Sequence, residues 1–597
     1  MGLLDTVKTS ADVKKLKIEQ LPILAEEIRQ RIISVVETNG GHLSSNLGAV
    51  EAIIALHYVF DFPKDKLIFD VGHQSYAHKI LSGRNDTFTT IRKKDGLSGF
   101  PNVFESEYDA FCVGHAGNSI SASLGYCSAR DTLGQDYSVI DFVGDASFFN
   151  GENLEALISS DNKPKKMLII LNDNGMSISK NNNGLYRLIS TYTTKKSYRR
   201  LKRIAQKAVG WNFIGRALKK LKDFIKVSLN HKTAAESLGF KYLGVYDGHN
   251  IKGLIKILTN VKDSCETVLL HLKTVKGKGV ADAEQNPSYY HGVGSNLKSG
   301  VSTFSSAISG VLQNAVDKGE PITAICAGMK DGTGLVDFAD KNPRRFYDVG
   351  IAEEHAVTFA AGQAIGGLKP IVCIYSTFLQ RAYDQIMQDV CLQNLPVIFM
   401  IDRAGAVGAD GATHQGLFDL SYLRNMPNMS VFAPKDTIEL ENVFNYCLKL
   451  GTPCSIRYPN GINTEFETHT DINESLWETF GEGENVILAV GPRMLRLAFD
   501  VQKEYDGKVQ VVNARCIKPL YKSIIDSFSG KNVIVLEENV KSGGFGSFIA
   551  ETLSENKIVC NLTIKGFDDK FVAHASVLDQ LESVGLTKSE IVKLLKL

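Results

Sequence analysis

The chain reads as an α/β protein of three successive domains, each a mainly parallel sheet flanked by helices. Three observations predict this. Short Val/Ile/Leu runs, roughly four to eight residues long and bounded by Gly, Asp, Asn or Pro, recur along the 597 residues. Stretches with apolar residues at helical spacing separate them. The alternation persists from end to end, which favours parallel sheet with crossover helices over a sandwich or a bundle.

Taken in order, the first block spans residues 1–300. It opens on a helical lead-in and continues through DKLIFDVGHQ and YDAFCVGHAGNSISASLG. Two buried-strand patterns follow, YSVIDFVGD and MLIILNDNGM, then a basic insertion over about 185–232, then TVLLHLKTVKGKGV. The polar stretch ADAEQNPSYYHGVGSNLKSG reads as an excursion and linker. A second block, 301–470, begins with a helix and repeats the rhythm in PITAICAG, RRFYDVGIA, KPIVCIYS, LPVIFMIDRAG, SVFAP and PCSIRYP. The third, 471–597, holds NVILAVG, KVQVVNARCIKP and KNVIVLEE. Its GGFGSF at Gly543–Phe548 lacks the G-x-G-x-x-G spacing of a nucleotide loop and predicts a turn before a helix. No short-period repeat is present.

Composition narrows the function classes. A 44% hydrophobic and 22% charged content describes a soluble globular protein with ample core. No apolar run reaches membrane-spanning length, and the N-terminus has no secretory pattern, so a cytoplasmic protein without membrane contact is expected. The ten cysteines form no CxxC pair and are expected as free thiols, Cys112, Cys326, Cys373 and Cys391 within apolar surroundings. A net charge of +1 argues against a global nucleic-acid binder. From Arg187 to Lys232, however, fourteen Lys/Arg face a single acid, Asp223, with Leu218, Leu221, Ile225 and Leu229 at helical spacing. This is a solvated helical insertion, a basic lid that attracts anionic substrates, or a contact for an acidic surface.

The candidate chemistry sits at strand ends. Asp145 closes YSVIDFVGD, and Asn174 closes MLIILNDN some thirty residues later. In an open parallel sheet both fall in the crevice beyond the carboxyl ends of the strands. Two hard oxygens with room for water and a diphosphate suit Mg²⁺. Glu353, in FYDVGIAEEHAVTFAAG, lies where a strand gives way to an apolar helix, so burial should raise its pKa. A buried, partly protonated acid can hydrogen-bond the ring nitrogen of an aminopyrimidine. The two regions read as halves of one thiamine diphosphate site.

With these residues in view, the chain resembles the 1-deoxy-D-xylulose-5-phosphate synthases of the transketolase superfamily. GGHLSSNLGAVE, FDVGHQSYAHKIL, LGFKYLGVYDGHN, YSTFLQRAYDQI, DRAGAVGADGATHQGLFDLSYLRNMPN and VVNARCIKPL carry the resemblance. It covers nearly all of the chain except the basic insertion. It implies a transketolase-like thiamine diphosphate-binding fold and a homodimer in the family's manner. The implied reaction condenses pyruvate with D-glyceraldehyde 3-phosphate to 1-deoxy-D-xylulose 5-phosphate and CO₂, feeding isoprenoid, thiamine and pyridoxal precursors. Transketolase-type two-carbon transfer and a non-catalytic thiamine-binding paralogue are the alternatives.

Residue by residue, the resemblance places Asp145, Asn174 and the Met176 carbonyl on Mg²⁺. Gly114, His115, Ala116, Ala146, Ser147 and His73 would line the cofactor, Phe378 would stack on its pyrimidine, and Glu353 would activate it. His42, His73 and His414 would handle protons, with His291 nearby. Arg403 and Arg457 would grip the aldehyde's phosphate, and Tyr375, Arg381 and Asp410 would complete the acceptor pocket. Three positions depart from the family pattern: Ala146 replaces a glycine, Val280 an aromatic in GKGV, and Asn460 an arginine in IRYPNG.

Overall fold

The computed structural model describes residues 2–159, 163–175, 236, 238–294 and 302–596. Met176 and the basic stretch 185–232 lie outside the described residues. Two compact units result, Met1–Thr89 with Phe100–Ser295, and Thr90–Gly99 with Asn296–Leu597.

The first unit carries a five-stranded sheet: β1 (Lys66–Phe69), β2 (Val139–Gly144), β3 (Met167–Asp173), β4 (Lys241–Asp247) and β5 (Val268–Lys273). Its order is β1-β2-β3-β5-β4 and every pairing is parallel. All seven residues of β3 are buried, as a strand covered on both faces demands, which is why it reads as an unbroken apolar run. Helix α1 (Leu21–Asn39) starts with Pro22 in its first turn and buries Leu21, Leu24, Ile28, Ile32, Val35 and Val36, one stripe at helical spacing. Helix α2 (Val50–Val59) is apolar nearly all round and is buried. Helix α3 (Ser119–Thr132) follows the GHAGN loop, and α4 (Ile251–Val261) is capped by the Asn250 side chain, which accepts from the Gly253 N–H.

The second unit holds two sheets. Strands β6 (Ile322–Cys326), β7 (Phe346–Asp348), β8 (Lys369–Tyr375), β9 (Ile398–Asp402), β10 (Ser430–Phe432) and β11 (Cys454–Arg457) are parallel neighbours. The other sheet is built from β12 (Glu478–Phe480), β13 (Asn485–Ala489), β14 (Val509–Asn513), β16 (Asn532–Val540) and β17 (Asn561–Phe567), in the order β12-β14-β13-β16-β17. β15 (Cys516–Lys518) leaves this group and pairs antiparallel with β10. KVQVVNARCIKP is therefore two strands in two sheets. Between them Arg515 is fully buried, donating to Glu439 and to the carbonyls of Thr470 and Ser475, and these bonds turn the chain. One apolar core spans both sheets, with Val372, Phe399 and Ile456 of the first joined to Leu488, Val512 and Val535 of the second.

The turn over 541–544 leads into α-helix Phe545–Glu555, as GGFGSF predicted. All ten cysteines are free, but Cys112 is exposed, against expectation. The FCV run lies in a loop, outside any strand.

Candidate active site

In the first unit the chemistry gathers at the carboxyl ends of β2, β3 and β5. Asp145 opens the helical turn that follows β2, and Asp173 ends β3 one residue before Asn174. The register sets Gly144 opposite Asn172, which brings the two strand ends level. The Gly175 N–H ties them: it donates to Asp145 Oδ2 at 2.9 Å and to Asp173 Oδ1 at 2.9 Å. Burial, reinforced by the charge of Asp173, pushes the Asp145 carboxyl up to about 7. A group in this position gains by receiving a cation. Asp173 is held down at about 2 despite burial by His271 and Lys273, at 2.9 and 3.1 Å. Tyr242 in turn holds His271 at 2.8 Å. Lys276, beyond β5, is buried and depressed to about 8, with Asp145 opposing the shift.

Asp70, at the end of β1, organises the next loop. Its carboxylate accepts from the N–H groups of Gly117 and Ser119 and from Asn153 Nδ2. Gly117 adopts φ +95°, and a Cβ there would stand 2.2 Å from Asn150 Oδ1, so only glycine fits. This fixes the segment containing Gly114, His115 and Ala116 ahead of α3. Ser147 is buried, and the Ala146 N–H donates to Asp145 Oδ1 at 3.0 Å.

His73 follows two left-handed residues, Val71 at φ 60° and Gly72 at φ 82°. A β-branched residue in that region is strained, a feature that collects at functional sites. The rings of His42, His73 and His291 form a triangle with centroids 5.7, 5.5 and 5.2 Å apart. Burial, with the neighbouring rings and Lys276, holds His73 and His291 well below the usual imidazole range. Burial thus favours the neutral ring in both.

In the second unit Glu353 is the first residue of α5 (Glu353–Ile365) and is 3% exposed. Its Oε2 has no hydrogen-bond partner among the described residues; Arg381 Nη1 stands 3.7 Å away. Burial lifts this acid to about 7, with Arg381 opposing. Phe378, just beyond β8, stacks on Tyr375 with centroids 5.6 Å apart and meets the His414 ring edge-on at 5.7 Å. Burial lowers the His414 pKa, with Asp410 opposing. The Arg403 guanidinium lies 4.0 Å over the Tyr375 ring, pairs with Asp402 at 2.7 Å and donates to the Gly332 carbonyl at 2.7 Å. Asp410 accepts from Arg92 at 2.7 Å. Arg457 is buried, with Nε on Asp419 at 2.9 Å and Nη2 on the carbonyls of Gly416 and Glu538.

The residues fit a divalent cation, a diphosphate and an aminopyrimidine. Asp145 and Asn174 are hard oxygen donors, Lys276 supplies positive charge beside them, and Glu353 presents an orphaned buried oxygen. Sequence reading missed Lys276, Asp173, Asp70 and Arg92. Lys276 lies in TVKGKGV and Asp173 in the NDN turn, so both had a visible signal. Arg92, in a polar loop with no pattern around it, had none.

Comparison with known proteins places the chain among thiamine diphosphate-dependent transferases of the transketolase type. Residues 4–274 match the family model of 1-deoxy-D-xylulose-5-phosphate synthase, 302–463 the transketolase pyrimidine-binding domain and 477–591 the transketolase C-terminal domain. The 1-deoxy-D-xylulose-5-phosphate synthase of Clostridium tetani is 44% identical, covering 99% of each chain. That of Thermus thermophilus is 43% identical over 99% of this chain and 98% of its own. Among solved structures, transketolase from Leishmania mexicana matches at 18% identity with a TM-score of 0.42, covering 97% of this chain and 96% of its own. The chain belongs to the 1-deoxy-D-xylulose-5-phosphate synthase family.

Proposed function

We propose that the chain condenses pyruvate with D-glyceraldehyde 3-phosphate to give 1-deoxy-D-xylulose 5-phosphate and CO₂, supplying isoprenoid, thiamine and pyridoxal precursors. The observation that carries this is Glu353: a buried carboxyl with an oxygen that has no hydrogen-bond partner among the described residues, and a pKa lifted to about 7. Such an acid is poised to hold or release a proton at neutral pH. Thiamine diphosphate, when bound, supplies the carbon nucleophile and the electron sink for loss of CO₂.

The chain's own groups do the rest. Asp145 and Asn174 would hold Mg²⁺, and Lys276 would add charge for the diphosphate. Glu353 holds a proton for the ring nitrogen of the aminopyrimidine, and Phe378 offers it an aromatic face. His42, His73 and His291 exchange protons at their ring nitrogens during addition and release, and His414 serves the acceptor. Arg403, fixed by Asp402 and stacked on Tyr375, provides the cation for the aldehyde's phosphate. The enzyme works as a cytoplasmic homodimer. Mass-spectrometric identification of 1-deoxy-D-xylulose 5-phosphate from the two substrates tests the reading, with omission of thiamine diphosphate or Mg²⁺ as controls. Sedoheptulose 7-phosphate from xylulose 5-phosphate and ribose 5-phosphate would instead mark a transketolase.

A further inference from the structure

We infer that Asn46 is a positioning residue that sets His42 and His73 in one geometry, acting through their main chains. The inference rests on reading these two histidines as proton-handling groups, as proposed above. Asn46 is 1% exposed and sits in the helical turn Ser44–Leu47. Its Nδ2 donates to the His42 carbonyl at 2.6 Å and to the His73 carbonyl at 2.7 Å. Its Oδ1 accepts from the Tyr76 N–H at 2.8 Å. One carboxamide thus uses both donors and an acceptor on two loops separated by some thirty residues of chain. Tyr76 closes the circuit, since its hydroxyl accepts from the His42 N–H at 3.3 Å.

The need for such a clamp is visible in the backbone. The His73 loop carries the left-handed Val71, and strain of that kind persists only where neighbours over-determine it. Asn46 grips the chain immediately after that bend, at residues 73 and 76. Its two preceding residues fix the third ring and the lysine loop. Ser45 Oγ meets His291 Nδ1 at 3.2 Å. The Ser44 carbonyl accepts from the Gly277 N–H at 2.8 Å, beside Lys276, and the Ser44 N–H donates to Tyr290 at 3.0 Å. Ser44-Ser45-Asn46 is thereby a hub from which the three imidazoles are aimed. Asparagine alone among side chains of its size offers two donors and an acceptor here; aspartate would set carboxylate oxygens against two carbonyls.

The test uses the full-length holoenzyme with thiamine diphosphate and Mg²⁺. Asn46→Ala and Tyr76→Phe are compared with wild type for kcat, KM and the ¹³Cε1-histidine NMR spectrum, with His42→Gln and His73→Gln variants for assignment. Misplacing reacting groups by about 1 Å costs roughly a hundredfold. Asn46→Ala should therefore lose about that factor in kcat with little change in either KM, and should displace the His42 and His73 signals while those of His57 and His271 stay. Tyr76→Phe, which removes only a hydroxyl, should displace His42, leave His73 in place and lower kcat less. Retention of kcat within about twofold in Asn46→Ala, or unmoved His42 and His73 signals, overturns the inference. So does equal displacement of all histidine signals, which marks general loosening. If Asn46→Ala does not fold, Tyr76→Phe decides by whether His42 moves without His73. If wild type forms no 1-deoxy-D-xylulose 5-phosphate, the proposed reaction fails, and the NMR comparison still judges the clamp.

Discussion

Glu353 Oε2 and Arg381 Nη1 stand 3.7 Å apart, close enough for attraction and too far for a hydrogen bond. The guanidinium therefore moderates the cost of burying the acid without abolishing it, and the pKa settles at about 7.

Replacing this acid separates its chemical role from its structural cost. Glu353→Gln should lower turnover by about 10²–10⁴, the usual range for a general acid–base group, in the product assay with pyruvate and glyceraldehyde 3-phosphate. The same variant should be more stable than wild type near pH 8. Between pH 4.5 and about 7 the folded carboxyl holds a proton that the unfolded chain has lost, so wild-type stability falls as pH rises through this window. The shift corresponds to ~3 kcal/mol. Thermal melts should show the advantage of the variant near pH 8 and its disappearance below pH 4.5.

Asp173 should matter although it stands behind the proposed metal ligands. It shares the Gly175 N–H with Asp145 and is itself braced by His271 and Lys273. Losing an outer partner of a metal site costs about 10–100-fold in affinity. Titration of Mg²⁺ into the chelator-stripped Asp173→Asn variant with thiamine diphosphate present should show that weakening. An unchanged affinity would mean that the strand tips are held without it.

Arg403→Lys should raise the KM for glyceraldehyde 3-phosphate by about tenfold or more and leave the KM for pyruvate unchanged. A lysine keeps the charge but loses both the face laid on Tyr375 and the planar fork. Initial rates at varied aldehyde concentration measure this directly.

Arg457 offers a contrast between binding and folding. Its Nε and Nη2 are engaged by Asp419, Gly416 and Glu538, and both members of the ion pair are buried. Arg457→Met should cost about 3–5 kcal/mol of stability by stranding Asp419, and Arg457→Met with Asp419→Leu should recover part of it. Thermal melts check the pair. A rise in the aldehyde KM with no loss of Tm would instead assign Arg457 to the substrate's phosphate.

Much of this was legible in the chain. Buried parallel strands betray themselves as apolar runs that stop at Gly-Asp or Asn-Asp, so β2, β3 and the residues at their tips could be read directly, as could the burial of Glu353 at the head of an apolar helix. Exposed loops carry no such signal. Cys112 was expected in an apolar setting because FCV resembles a strand, yet it is exposed in a loop.

The amino-acid order by itself determined which segments become strands and helices, and which acids stand at their ends, because periodicity and turn chemistry act over a few residues. The tertiary structure alone decided what those residues meet. It sends β15 to the sheet of an earlier block, engages Arg457 with Asp419, and lets Asn46 hold two histidine loops. Apart from the Asn46–His42 bond, these are contacts between residues tens of positions apart, and their geometry is set by packing, which no local pattern encodes.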